Sequence, residues 1–326
     1  MTTIRPMRDE DADAVREVDA VAFWTWERQV RGEAAQLHRR TRTNVLACRE
    51  KDPEGCFVAD DGQRVVGFIF SRTWGGVGWF GTFAVLPECQ GQGIGQQLIA
   101  ASLKYLRQDP RRVIGLETMP GSPYNLGLYL RQGFQARFPT LLLSKNLEQH
   151  ALDGVDLPRW STASAGTRER WLADLREATG RVQARLDYAK EITSNARHGL
   201  GETLVLTDGS RAIGMSVVGL VSGCENWGAE RANWGAERAS VKALALHPDH
   251  TQDGTLRTIL DGTEALARSQ GKQTVTMAVN ARHTWALHRS LQWGYRVERM
   301  AVHMVLKGTD GGPTTDDWVD FSRWAG

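Results

Sequence analysis

Residues 87–100, PECQGQGIGQQLIA, set glycine at three alternate positions, Gly91, Gly93 and Gly95, and then run directly into a helical pattern. The stretch before them, WFGTFAVL at 79–86, reads as a strand that Pro87 helps to end, because proline cannot donate to a ladder. Ile94, Leu98, Ala101 and Tyr105 then recur on one helical face. Between strand and helix, Gln90 to Gly95 must form a bend whose N–H groups join the free donors of a helix N-terminus. Such a bend is a nest for an anion, and glycines without Cβ atoms let a phosphate approach the backbone. The pattern is neither of two common phosphate motifs. A P-loop needs Lys and Ser or Thr where Gly95 is followed by Gln96 and Gln97, and the Rossmann spacing G-x-G-x-x-G is absent.

The rest of the chain limits what such a cradle serves. At 326 residues, 41% hydrophobic and 24% charged, the chain is long enough for two globular domains. Its 40 basic and 38 acidic residues are interspersed and sum to +2, so no basic stripe points to nucleic acid or a membrane surface. The four cysteines show no C-x-x-C spacing, the N-terminus lacks an apolar leader, and no run approaches a membrane span. These features read as a reduced, cytoplasmic protein with no metal site.

Internal similarity organises the chain. FVADDGQRVVGF (57–68) aligns with LVLTDGSRAIGM (204–215) at an offset of 147, each a strand, a D-G turn and a strand. Pro87 and Pro248, Gly93 and Gly254, and Gly133 and Gly294 align at an offset of 161. The difference of 14 is the length of NWGAERANWGAERA (226–239), a seven-residue unit written twice, which we place in a hairpin connection of the second copy. The expected order in the first copy is helix over about 9–50, strands near 56–60, 64–72 and 78–86, helix 93–107, strand 112–118, helix 124–132 and strand 138–145. Residues 148–166 read as a linker, a helical stretch at 167–198 opens the second copy, and 309–326 form a tail. The fold class is α/β, one domain written twice.

The residues QGQGIG at 90–95, preceded by Val85 and Pro87 and followed by NLGLYLRQGF at 125–134, resemble the signature of the GNAT superfamily of acyl-CoA-dependent N-acetyltransferases. The resemblance covers roughly 1–147 strongly and 165–307 weakly, in a tandem arrangement similar to that of the mycothiol synthase family. It implies two tandem GNAT folds, each a mixed, mostly antiparallel sheet flanked by helices. It also implies acetyl-CoA as cofactor and a small-molecule amine as acceptor, with transfer by direct attack in a ternary complex. The backbone of Phe83, Ala84 and Val85 would hold pantetheine, and Gln90, Gly91, Gln92, Gly93, Ile94 and Gly95 would hold the diphosphate. Asn125 would bond pantetheine or position the acid, Tyr129 would protonate the leaving thiolate, and Glu117 would relay the amine proton through water. Trp24 and Trp26 fall where the family closes over its acceptor. Tyr129 as a packed core ring and Asn125 as a helix-start residue are the structural alternatives.

The second copy departs where this chemistry sits. PDHTQDGTL replaces PECQGQGIG, putting Thr251, Gln252 and Leu256 at the positions of Gln90, Gly91 and Gly95, and Asp253 where a diphosphate would lie. Ser290 and Ala286 stand at the positions of Tyr129 and Asn125. We therefore expect catalysis in the first copy and a structural, substrate-enclosing or dimerising role for the second, whereas in the mycothiol synthase family the C-terminal copy is the active one. The alternatives are a non-catalytic acyl-CoA sensor or scaffold, and a protein acetyltransferase acting on an N-terminus or lysine.

Overall fold

The computed structural model describes residues 2–31, 37, 39–147, 155–221, 237–309 and 318–322. The first half runs β1 (Thr3–Pro6), α1 (Ala12–Arg31), α2 (Arg42–Lys51), β2 (Cys56–Asp60), β3 (Val65–Trp74), β4 (Val77–Val85), α3 (Ile94–Leu106), β5 (Val113–Thr118), α4 (Pro123–Arg131), β6 (Phe134–Ala136) and β7 (Thr140–Asn146). The second runs α5 (Ala165–Val182), α6 (Ala189–Arg197), β8 (Gly201–Asp208), β9 (Arg211–Gly219), β10 (Arg238–Leu246), α7 (Asp253–Ser269), β11 (Thr274–Asn280), α8 (Thr284–Gln292), β12 (Arg296–Leu306) and β13 (Val319–Ser322). The D-G turns form as their chemistry requires. The Asp61 carboxylate accepts from the N–H groups of Gln63 and Arg64 at 2.8 and 2.9 Å, and Gly62 takes a φ of +94°. No helix of the described residues is long and apolar enough to cross a membrane.

Two expected helical stretches are divided. The first contains α1 and α2, and Thr41 caps α2 by accepting from the Asn44 N–H at 3.1 Å. The expected single helix over 167–198 is α5 and α6, because the chain leaves helical geometry at 183–188. There Arg185 has a φ of +61° and its carbonyl accepts from the N–H of Gly76 at 2.8 Å. A Cβ at Gly76 would lie 2.1 Å from the Ala184 carbonyl, so this crossing of the halves needs glycine. The duplicated heptad falls in the β9–β10 connection. Residues 222–236 lie outside the described residues, and Arg238 and Ala239 begin β10.

All thirteen strands belong to one sheet, in the order β1-β2-β3-β4-β5-β12-β7-β11-β10-β9-β8, with β6 beside β12 and β13 beside β10. The two copies have thus exchanged their last strands. β5 of the first half pairs with β12 of the second, β11 of the second pairs with β7 of the first, and β7 and β12 pair with each other. The exchanged β7 is fixed by charge as well as by ladder: Lys145 donates to both oxygens of Glu264 on α7 at 2.8 Å, with both side chains 1% exposed. Each half keeps an apolar core against its own α3 or α7. A third cluster, with Trp74 and Trp79 against Trp160, Trp171, Leu186 and Tyr188, seals the other face where the halves meet.

Candidate active site

β4 and β5 are parallel neighbours only where Val77–Trp79 meets Val113–Gly115, and then they part. The close approach at that point depends on Gly115, since a Cβ there would lie 2.1 Å from the Trp79 ring. Leu86 N–H bonds to the Val66 carbonyl on the β3 side. By strand alternation, Phe83 and Val85 therefore turn their backbone groups the other way, into the gap. Gly81 and Thr82 stand together opposite Phe70 as a bulge, which bends β4 as it leaves β5. The gap holds a cavity of about 910 Å³.

At one end of this cavity lies the glycine bend. Gly91 and Gly93 have φ of +76° and +79°, and Gly93 is the N-cap of α3. A Cβ on either would meet no protein atom within 4 Å, so it would stand in the open space that the bend encloses. Gly95 has a different role: its Cβ would sit 3.1 Å from the Phe83 ring. The bend and the start of α3 line the cavity, with no Cβ at Gly91 or Gly93 over the backbone, so these residues fit a diphosphate. The Gln90 side chain turns back and donates to the Val85 carbonyl at 3.0 Å, tying the bend to the strand. Gln92 points elsewhere, its amide 3.5 Å from the Glu88 carbonyl, and does not line the cavity.

The opposite wall carries the proton-transfer candidates. Ser122 caps α4, accepting from the Asn125 N–H at 3.4 Å, and places Asn125 and Tyr129 on the cavity face. The Tyr129 ring packs edge-on to Phe134 and tilted against Phe80, so both the core position and the cavity position describe it. Burial raises its pKa above the ordinary phenol value and keeps the proton on. Glu117 on β5 also lines the cavity with its side chain only 2% exposed. Its Oε1 accepts from the Thr140 hydroxyl and from His303 Nδ1, the latter at 3.2 Å. Its Oε2 is buried with no hydrogen-bond partner among the described residues. A buried carboxylate oxygen left without a donor costs about 1–3 kcal/mol or more, which a ligand or ordered water relieves. Among the described lining residues, Glu117 bears the sole charged side chain.

On α1 the two tryptophans separate. Trp26 lines the cavity with Phe23, Thr25 and Gln29, whereas Trp24 lies off it under the Arg28 guanidinium, 4.9 Å from the ring centre. Residues two apart on a helix point in different directions, so one of the pair must leave the pocket. His303 and Thr140 are absent from the sequence reading. His303 is 186 residues from Glu117, and only the strand exchange brings β12 beside β5.

The corresponding place in the second half is built differently. Thr251 and Gln252 have φ of −77° and −149°, so the bend has no left-handed residue to turn successive amides inward. Asp253 is held by Arg289 at 2.8 Å, Leu256 is fully buried, and the Ser290 hydroxyl bonds to its own helix at Ala286. β10 and β11 also pair only at 238–241 with 274–277, but the gap beyond is filled. β13 lies antiparallel to Ala243–Leu246, the positions that align with Thr82–Val85, and it packs against β11 as well.

Residues 18–134 match the model of the acetyltransferase (GNAT) family. Its first half thus carries a GNAT domain. A mycothiol acetyltransferase of Pseudarthrobacter chlorophenolicus is 30% identical over 143 residues, 40% of this chain, and the match spans 42% of that relative's length. Across the whole chain, a proposed acetyltransferase from Pyrococcus horikoshii superposes with a TM-score of 0.67 at 15% identity, covering 99% of this chain and 95% of that one. A tandem GNAT protein from the clavulanic acid biosynthesis pathway superposes with a TM-score of 0.57 at 14% identity, covering 97% and 100%. At these identities the likeness is one of fold, and the fold shared is the tandem GNAT arrangement.

Proposed function

We propose that this protein transfers the acetyl group of acetyl-CoA to a primary amine of a small molecule, and that it does so in the first half alone. The observation that carries the reading is the contrast between two equivalent gaps. One is open, with a left-handed glycine bend at one end and Asn125, Tyr129 and Glu117 on its wall. The other is filled by β13 and has neither bend nor acid.

Acetyl-CoA supplies the activated acetyl group as a thioester. The amides of residues 90–95 hold its diphosphate, while the backbone of Phe83 and Val85 accepts its pantetheine as an added strand. Glu117 Oε2 takes the proton of the attacking amine, directly or through a water. The Val85 N–H steadies the carbonyl oxygen as charge develops. Tyr129, held protonated by burial, gives its proton to the departing thiolate. Phe23 and Trp26 provide an apolar wall for the acceptor. That the 30%-identical relative is a mycothiol acetyltransferase supports a small-molecule acceptor over a protein.

The test is release of free thiol from acetyl-CoA in the presence of a panel of primary amines. Turnover on at least one small amine, lost in Tyr129→Phe, supports the reading. Saturable acetyl-CoA binding without turnover on any amine contradicts it in favour of a sensor, and turnover on peptides alone contradicts the small-molecule acceptor.

A further inference from the structure

Glu117 would be an ineffective base if its carboxylate could rotate or drift, and the protein holds it from the other half of the chain. His303 lies directly opposite Glu117 in the β5–β12 ladder, and its side chain is 7% exposed. Its Nδ1 stands 3.2 Å from Glu117 Oε1 and 3.5 Å from the Thr140 hydroxyl, which also donates to Oε1. Both donors arrive on exchanged or central strands, β12 and β7, that meet only because the copies have swapped their ends. The His303 ring is fixed from behind by Trp79, with ring centres 4.8 Å apart at 45°. With Oε1 taken by two donors, the lone pairs of Oε2 are the ones left for a substrate proton.

We propose that His303 is a positioning residue for the acetyl transfer, contributed by the second half of the chain to the site of the first. It aims the Glu117 carboxylate. The inference rests on Glu117 acting as the base in the reading above. It gives the second half a catalytic purpose that a degenerate copy otherwise lacks. Thr140 carries no charge, Tyr129 lines the same cavity and stays protonated, and His283 and Arg282 lie in the turn before α8. Burial, then Arg282 and His303, hold the His283 pKa well below that of a free imidazole, so His283 is neutral.

Three substitutions separate aiming from packing. His303→Phe keeps a ring against Trp79 but has no donor, His303→Asn restores a donor near the Nδ1 position, and His303→Ala removes both. The expected result is a fall in kcat of about ten- to a hundredfold for Phe and Ala, with KM for acetyl-CoA unchanged, and substantial recovery in Asn. If Phe matches the wild type in rate while Ala fails, the role is packing and the proposal is overturned. The pairing is also read without turnover, from the His303 imidazole resonances at one fixed pH. In Glu117→Gln these resonances shift relative to the wild type, and unmoved resonances overturn the proposal. Should no amine support turnover yet the imidazole resonances respond to Glu117→Gln, the pairing stands and the proposed reaction fails.

Discussion

Single residues divide into those that shape the cradle and those that move protons, and the two classes fail differently. Gly91 and Gly93 sit at φ near +76° and +79°, where a side chain costs about 1–2 kcal/mol of strain and fills the space over the amides. Gly93→Val is therefore expected to abolish acetyl-CoA binding in calorimetry while the circular dichroism spectrum stays that of the wild type. Tyr129→Phe keeps the ring against Phe80 and Phe134 and removes only the hydroxyl. It should lower kcat about a hundredfold or more and leave KM for acetyl-CoA within a few-fold, read by thiol release. The glycine bend and the α4 residues were legible in the sequence because both lie on contiguous segments whose turn and helix spacing dictate direction. The separation of Trp24 from Trp26 follows from helix geometry too, but which one faces the cavity depends on the strands that α1 packs against, and Trp24 is left under Arg28 of its own helix. His303 was illegible, since no local pattern reports a partner 186 residues away.

At the scale of elements, the strands that end each copy do the most to make one molecule of two repeats. The hairpins and α3 came through from turn chemistry and periodicity, α3 with its own apolar face. Strand exchange did not, because β7 and β12 carry the same pattern whether they return to their own sheet or cross to the other. Lys145 holds the clue only in retrospect, a lysine near the end of the LLLSKN run that meets Glu264 in the second core. Glu264→Ala leaves that ammonium buried without its partner and should cost about 3–5 kcal/mol in chemical unfolding, whereas Lys145→Met with Glu264→Leu should cost much less. β13 supplies a pH-dependent element. Burial raises the Asp320 pKa from 3.8 to about 6, against the Tyr188 hydroxyl at 2.7 Å and the charge of Arg282. The folded state thus binds this proton more tightly than the unfolded chain. Its stabilising contribution is complete below pH 4 and is lost as pH rises through 6. Asp320→Asn, which keeps an acceptor for Tyr188, should raise Tm at pH 8 by the equivalent of about 2–3 kcal/mol and leave it nearly unchanged at pH 4.

For the whole molecule, duplication has produced two gaps between diverging strands and one continuous sheet, and the chain has put the gaps to different uses. The first is open and carries the cradle, Glu117 and Tyr129. The second is closed by β13, lying along β10 at the positions that align with the pantetheine-facing stretch of β4. Asp253 and Leu256 argue in the sequence against a second cradle, but nothing there states that a tail strand lies in the gap. Val319 and Phe321 are apolar enough to be a strand, yet nothing local states which edge they join. The central claim is that this molecule has one cofactor site, in its first half. Isothermal titration of the full chain with acetyl-CoA tests it most directly. One site per chain, lost in Gly93→Val and intact in Phe321→Ala, is the predicted result; two sites per chain, or binding that survives Gly93→Val, would contradict it.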